Sequence, residues 1–165
     1  MPGFVQLGAG PQGKSPGLSP SRGAAYNRNM TSISATQIAP DLALIERLAL
    51  DALQNLPEPY RTPASAILLR VEDFAPDEVL EAMDLADPFE LTGLYDGIPM
   101  TEKSVMDQPQ YPDVIWLFRR PILDEWADRG NVSLGELVTH VLIHEIAHHF
   151  GWSDDDIAAI DPWWE

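Results

Sequence analysis

Cysteine is missing altogether from the 165 residues. Its absence excludes a disulfide scaffold, a cysteine-ligated zinc finger and a thiol nucleophile, and leaves His, Asp and Glu for any metal site. Long apolar runs are missing too: none approaches the ~18 residues that a membrane span needs. Basic side chains are scarce, 10 against 26 acids for a formal charge of −16, and no cluster is longer than Arg119-Arg120. Such a surface repels nucleic acid and anionic lipid, so neither is an expected partner. What is present is enough chain for one domain with a substantial hydrophobic core.

The charge is unevenly spread. Residues 1–40 hold Lys14, Arg22 and Arg28 and no acid, hence +3; residues 41–165 hold all 26 acids against 7 bases, hence −19. The same first 40 residues carry 6 of the 11 glycines and 5 of the 15 prolines. A segment of this kind buries too little apolar surface to offset its ordering entropy. Residues 1–39 are therefore read as a disordered arm and 40–165 as the folded domain. Phe4, Val5 and Leu7 do not make the apolar core of a secretory leader, so the expected location is the cytoplasm. Two readings of the first 29 residues stay open: a native arm, or an extension upstream of a true start at Met30.

From Pro40 the pattern turns regular. Leu42, Ile45, Leu48, Ala49, Ala52, Leu53 and Leu56 recur at helical spacing until Pro57 and Pro59 stop them. Ile67–Glu72 alternates as a strand does, and Pro76 opens a short helix with Asp77 and Glu78 near its N-terminus. Leu91–Tyr95 and Ile98–Thr101 flank Asp96-Gly97, a dipeptide suited to a tight hairpin turn. Val114–Phe118 is apolar throughout, as expected of a central strand, and Pro121 begins another helix to about Arg129. The sum is an α+β or α/β domain with a small sheet of three or four strands and helices packed on it.

A final helix runs from Leu134 to Phe150. Ser133-x-x-Glu136 is a capping box at its start, and Gly151 stands where a left-handed glycine would end it. Leu142, Ile143, Ile146, Ala147 and Phe150 form a broad apolar sector, with Val138 and Val141 nearly opposite. A helix apolar on almost every side is buried. Yet it also carries His140, His144, Glu145, His148 and His149, which are costly to bury unless something pairs with them.

His144-Glu145-Ile146-Ala147-His148 is an H-E-x-x-H motif. Residues i and i+4 lie one turn apart on one face, so both imidazoles can reach a single ion. Catalytic zinc takes three protein ligands and keeps an open position. Glu145, rotated ~100° from His144, is poorly placed as a ligand but can reach a water at that open position and take its proton as general base. Gly151 and Asp154 extend the motif to H-E-x-x-H-x-x-G-x-x-D. A glycine turn there swings the chain back, so that the residue three later supplies the third ligand, Asp154.

The full motif resembles the zincins, and its glycine turn resembles the metzincins with Asp for their third His. More closely, the chain is similar to the small zincin-like metallopeptidases called minimal zincins. The similarity rests on Leu94-Tyr95-Asp96-Gly97-Ile98-Pro99-Met100, on Pro112 through Leu123 and on His144 through Gly151, and spans about residues 41–158. It implies an α/β zincin core and a single zinc ion held by His144, His148 and Asp154, with Glu145 as base. One departure from the metzincins is plain: the 11 residues after Asp154 contain no methionine, so no Met-turn is expected beneath the metal.

Other residues have plainer readings. His149 points ~100° away from His148 and is read as a supporting or surface residue. His140 is read as a core histidine or as an orienting group for a ligand. Tyr95 and Tyr111 could stabilise an oxyanion, but packing is the better reading of both. Asp155 and Asp156 are read as a solvated acidic turn, and Trp152, Trp163 and Trp164 as a lid packed on the core. The expected function is hydrolysis of a peptide or protein substrate, basic or neutral in preference to acidic. An extended peptide would be held by β-augmentation on the strand nearest the active helix, taken as an arm of the Asp96-Gly97 hairpin. The rivals are a zinc-stabilised binding module without turnover and hydrolysis of a non-peptide amide.

Overall fold

A computed structural model describes residues 3–6, 39–103 and 111–160. Four strands form one mixed sheet in the order β1-β3-β4-β2: β1 Gly3–Gln6, β2 Leu68–Glu72, β3 Gly93–Gly97 and β4 Val114–Phe118. β2 and β4 run parallel, with Leu69 opposite Ile115 and Val71 opposite Leu117. β3 is antiparallel to β4 on one side and to β1 on the other. Among the described residues six α-helices accompany the sheet, α1 Leu42–Gln54, α2 Arg61–Ala64, α3 Asp77–Ala82, α4 Arg119–Arg129, α5 Leu134–His149 and α6 Asp154–Ile160, with a 3₁₀ turn at Pro88–Glu90.

The strand alternation divides the core in two. Tyr95, Ile115 and Leu117 point to one face, where they meet Ile45 and Ala49 of α1 and Leu137, Val141 and Leu142 of α5. Leu94 and Phe118 point to the other, where Ala75, Leu80 and Leu91 cover them. Full burial of a side chain such as Ile45 or Leu137 contributes ~1.5–3 kcal/mol, so the stripe read from residues 42–56 anchors α1. The Asp41 carboxylate accepts the Leu44 N–H at 2.8 Å and starts that helix.

Two local expectations change. Asp96-Gly97 is not a hairpin turn: both residues lie inside β3, and Gly97 has no positive φ. Glycine is needed there for space, because a Cβ would lie 2.6 Å from both Asp113 Oδ1 and the Tyr95 hydroxyl. Asp155 and Asp156 are not in a turn either, but in the first turn of α6. Of the residues read as a disordered arm, Gly3–Gln6 form the outer strand β1, and 1–2 and 7–38 lie outside the described residues. Trp163 and Trp164 of the expected lid lie outside them as well. Among the described residues, no helix is long and apolar enough to cross a membrane.

Candidate metal centre

α5 is tied at both ends, and that decides where its polar side chains project. At the start, Ser133 Oγ accepts the Glu136 N–H at 3.2 Å and the Glu136 carboxylate accepts the Ser133 N–H at 2.8 Å. At the end, Gly151 adopts φ 90°, the Trp152 N–H donates to the Ala147 carbonyl, and the Gly151 N–H donates to that of His148. These two crossed bonds make a Schellman turn, which reverses the chain immediately after the second histidine. The turn is clamped from outside: the Met100 N–H donates to the His149 carbonyl at 2.8 Å, and a Cβ on Gly151 would run into the Thr101 side chain.

The reversal brings Asp154 back over α5. Its Oδ1 stands 3.0 Å from His144 Nε2 and 3.2 Å from His148 Nε2, and one ligand atom from each residue lies within 4.8 Å of the others. The three residues expected at the metal are thus brought together. Asp155 and Asp156 are not in the group. Asp156 is committed elsewhere: its carboxylate accepts both the Ser153 N–H, at 2.9 Å, and the Ser153 hydroxyl, at 2.7 Å, while Ser153 Oγ accepts the Asp156 N–H. Ser153-x-x-Asp156 is therefore a second capping box, at the start of α6. The S-D-D-D run carried that signal in the sequence.

His148 Nδ1 lies 2.8 Å from the Trp152 carbonyl, an acceptor only, so the proton sits on Nδ1. The tautomer that this bond selects presents Nε2 as a bare lone pair, buried, without a hydrogen bond and facing a carboxylate oxygen. A lone pair aimed at an anion is repulsive until a cation lies between them. This arrangement fits a metal ion, and two imidazoles with one carboxylate are a donor set that zinc accepts.

Glu145 lies on the sheet side of the same turn, fully buried. β3 passes directly against it: a Cβ on Gly93 would sit 3.0 Å from Glu145 Oε1 and 2.7 Å from Val141 Cγ1. Neither carboxylate oxygen completes a hydrogen bond. Burial pushes its pKa well up; the Tyr95 backbone offsets part of the rise without reaching hydrogen-bond geometry, and the Asp154 charge adds to it. Among the described residues, four buried side-chain polar atoms lack a partner. Three of them are His148 Nε2 and the two Glu145 oxygens, and the fourth is Thr92 Oγ1 beside Gly93.

His149, read as a supporting or surface residue, is buried one turn after Glu145, also against β3. Its Nδ1 faces Asp113 Oδ2 at 3.1 Å and the Tyr95 hydroxyl at 3.2 Å, while Lys103 pairs with Asp113. Burial lowers its pKa, opposed by Asp113 and aided by Lys103. The Tyr95 hydroxyl donates to the Ile98 carbonyl at 3.0 Å, and burial with the Asp113 charge raises its pKa. Tyr95 thus has a structural role, and Tyr111 is 82% exposed. His140 is half-buried outside the metal group. Asp113 and Lys103 were missed by sequence reasoning: they lie 36 and 46 positions before His149, and no local pattern connects them.

No curated protein matches the sequence. The family model described as zincin-like metallopeptidase matches residues 64–164, a stretch that takes in β2 through α6 and the whole His144-Glu145-His148-Asp154 constellation. With more than half of its length matched, and with the histidine helix at the centre of an α+β fold, the chain belongs to the zincin-like metallopeptidase family.

Proposed function

We propose that this protein hydrolyses peptide bonds, with His144, His148 and Asp154 holding one zinc ion and Glu145 acting as general base. The family implies peptide or protein substrates. The observation that carries the reading is the clustering of unpartnered buried groups beside the three converging donors. When bound, zinc supplies a Lewis acid that polarises a carbonyl and brings the pKa of water to ~7. Everything else is the chain's own work. The Trp152 carbonyl holds the His148 proton on Nδ1 and so keeps Nε2 free as a donor. Asp154 supplies the negative charge that favours a divalent cation over an empty site. Glu145, raised in basicity by burial, takes the proton of the attacking water and hands it to the departing amine.

The test is a substitution that separates binding from turnover. Glu145→Gln keeps the shape and removes the base, so zinc content should stay at one per chain while cleavage of a broad peptide library falls by ~10²–10⁴-fold. Removal of zinc by a chelator should abolish the same cleavage, and added zinc should restore it. If zinc-loaded wild type cuts no peptide in the library, hydrolysis is refuted and a zinc-stabilised binding module takes its place.

A further inference from the structure

β3 is the strand that an extended peptide would have to join. It passes Glu145 at Gly93, and the loop that follows it clamps the metal turn through Met100 and Thr101. Its inner edge is paired with β4, so only the outer edge is left for strand addition. That edge is also on the metal side. α1 and α5 pack on the same sheet face, with α1 also against β2 at the far edge. On α5, Leu142 and Ile146 of that core are rotated ~160° from His144, whereas Val141 and Glu145, which meet Gly93 of β3, are within ~60–100° of it. His144 and His148 therefore lie toward the β3 side of α5, and β3 is bordered on its other side by the sheet edge.

That outer edge is already taken. β1 pairs antiparallel along it, with Gly3 opposite Gly97, Phe4 opposite Asp96, Val5 opposite Tyr95 and Gln6 opposite Leu94. We propose that Gly3–Gln6 is a built-in competitor: it occupies the β3 edge that an extended peptide needs, and a peptide reaches the metal centre only when this strand leaves. The inference rests on the peptidase reading of the same site.

The strand is well suited to leaving. It is four residues long at the margin of the sheet, and the Gly- and Pro-rich stretch 7–39 separates it from α1. Among the described residues, no strand pairs with it on its other side. Residues 1–40 carry a net charge of +3 against −19 on the rest, so charge attraction favours the paired state. Because the strand belongs to the same chain, its pairing is intramolecular, and it outcompetes a dilute peptide without pairing strongly. Strand addition through the backbone gives the edge little sequence selectivity, and the competitor therefore raises the concentration of peptide needed instead of choosing among peptides.

The chain has no cysteine of its own, so one introduced pair can lock the strand. Phe4→Cys with Asp96→Cys places two thiols at directly opposed positions, within the Cα separation that a disulfide spans. Asp96 is on the Leu94 side of the sheet, away from α5, so the lock leaves the metal donors alone. Zinc-loaded protein is compared oxidised and reduced by a phosphine, with the single Asp96→Cys variant as control. The readouts are anisotropy of a fluorescent peptide library and, for any peptide cut, KM and kcat. Phe4→Pro with Val5→Pro removes the one ladder N–H that two adjacent residues of an edge strand give to β3, whichever of them carries it, and gives the released state.

Locking should weaken peptide binding tenfold or more relative to the reduced form, and release should lower KM about tenfold with kcat unchanged. A chain begun at Met30 should behave as the released form and keep its melting temperature. Failure of the cysteine pair to oxidise overturns the proposal, because the pairing is then absent. Equal binding by locked and released forms, or no binding by either, overturns it too. If the released form binds peptide more tightly but cuts none, the competitor stands and only hydrolysis falls.

Discussion

Two groups of buried polar side chains share the last two turns of α5, and the fold treats them oppositely. In one, His149, Tyr95, Asp113 and Lys103 close on one another, and the Tyr95 hydroxyl ends on the Ile98 carbonyl. In the other, His148 Nε2 and both Glu145 oxygens are buried without a hydrogen bond. Leaving one buried polar atom unsatisfied costs ~1–3 kcal/mol, so three in one place is a large burden for a domain of this size. The same helix shows that partners were within evolution's reach one residue away. The open group is therefore the one shaped for something outside the polypeptide, and the closed group is the frame that holds β3 and its following loop against the helix.

The largest effect should separate these two roles. His148→Ala removes a donor of the open group, and zinc affinity should fall by far more than a hundredfold, because two remaining ligands hold zinc poorly. The metal-free melting temperature should fall only modestly, because loss of the bond to the Trp152 carbonyl is offset in part by removal of one unsatisfied atom. His149→Ala should do the reverse: zinc affinity within a few-fold of wild type, and stability lower by ~2–3 kcal/mol as Asp113 and Tyr95 lose a buried partner. Chelator competition and melts in excess chelator read the two quantities separately. Exchanged phenotypes would break the comparison.

Asp154 tests the open group more finely, because three carboxylates stand in a row there. Asp154→Ala should weaken zinc by one to two orders of magnitude, judged from the ~10–100-fold that even supporting residues around a metal contribute. Asp155→Ala should leave zinc affinity unaltered. Asp156→Ala should also leave it nearly intact while loosening α6, since that side chain is spent on the Ser153 cap. Equal losses of zinc at all three positions would show a diffuse acidic field in place of one ligand.

How much of this was legible follows the range of the interaction. His144, Glu145 and His148 could be read because one helical turn sets their spacing. Gly151 could be read because a left-handed residue must end a helix that stops so abruptly. Residues 114–118 could be read because a strand buried between neighbours is apolar on both faces. The closed group could not, since its members come from β3, the loop after it, the segment before β4 and α5. Asp96-Gly97 misled for an instructive reason: glycine there makes room for Asp113 and Tyr95, and local pattern cannot tell a need for space from a need for positive φ. β1 was invisible because what makes it a strand is the exposed edge of β3, ninety residues on, and not its own composition.

The smallest effect lies three turns up the same helix, where nothing polar is buried. Ser133 and Glu136 satisfy one another's backbone N–H groups at the solvent end of α5. Ser133→Ala should cost ~1 kcal/mol, lowering the melting temperature by a few degrees, and should leave zinc affinity unchanged. The Ser133 backbone N–H and hydroxyl hold the Glu136 carboxyl below its ordinary value of 4.5, so its contribution is complete above that pH. It fades as pH falls through the lowered folded-state value, because the unfolded chain takes up the proton first on acidification. Glu136→Gln keeps the shape of the box without a titrating group, so its melting temperature should converge with that of wild type once the pH has fallen through the lowered folded-state value. A change in zinc affinity from either substitution would mean that the metal turn is set from the far end of α5 and not by the Schellman turn and the Met100 clamp beside it.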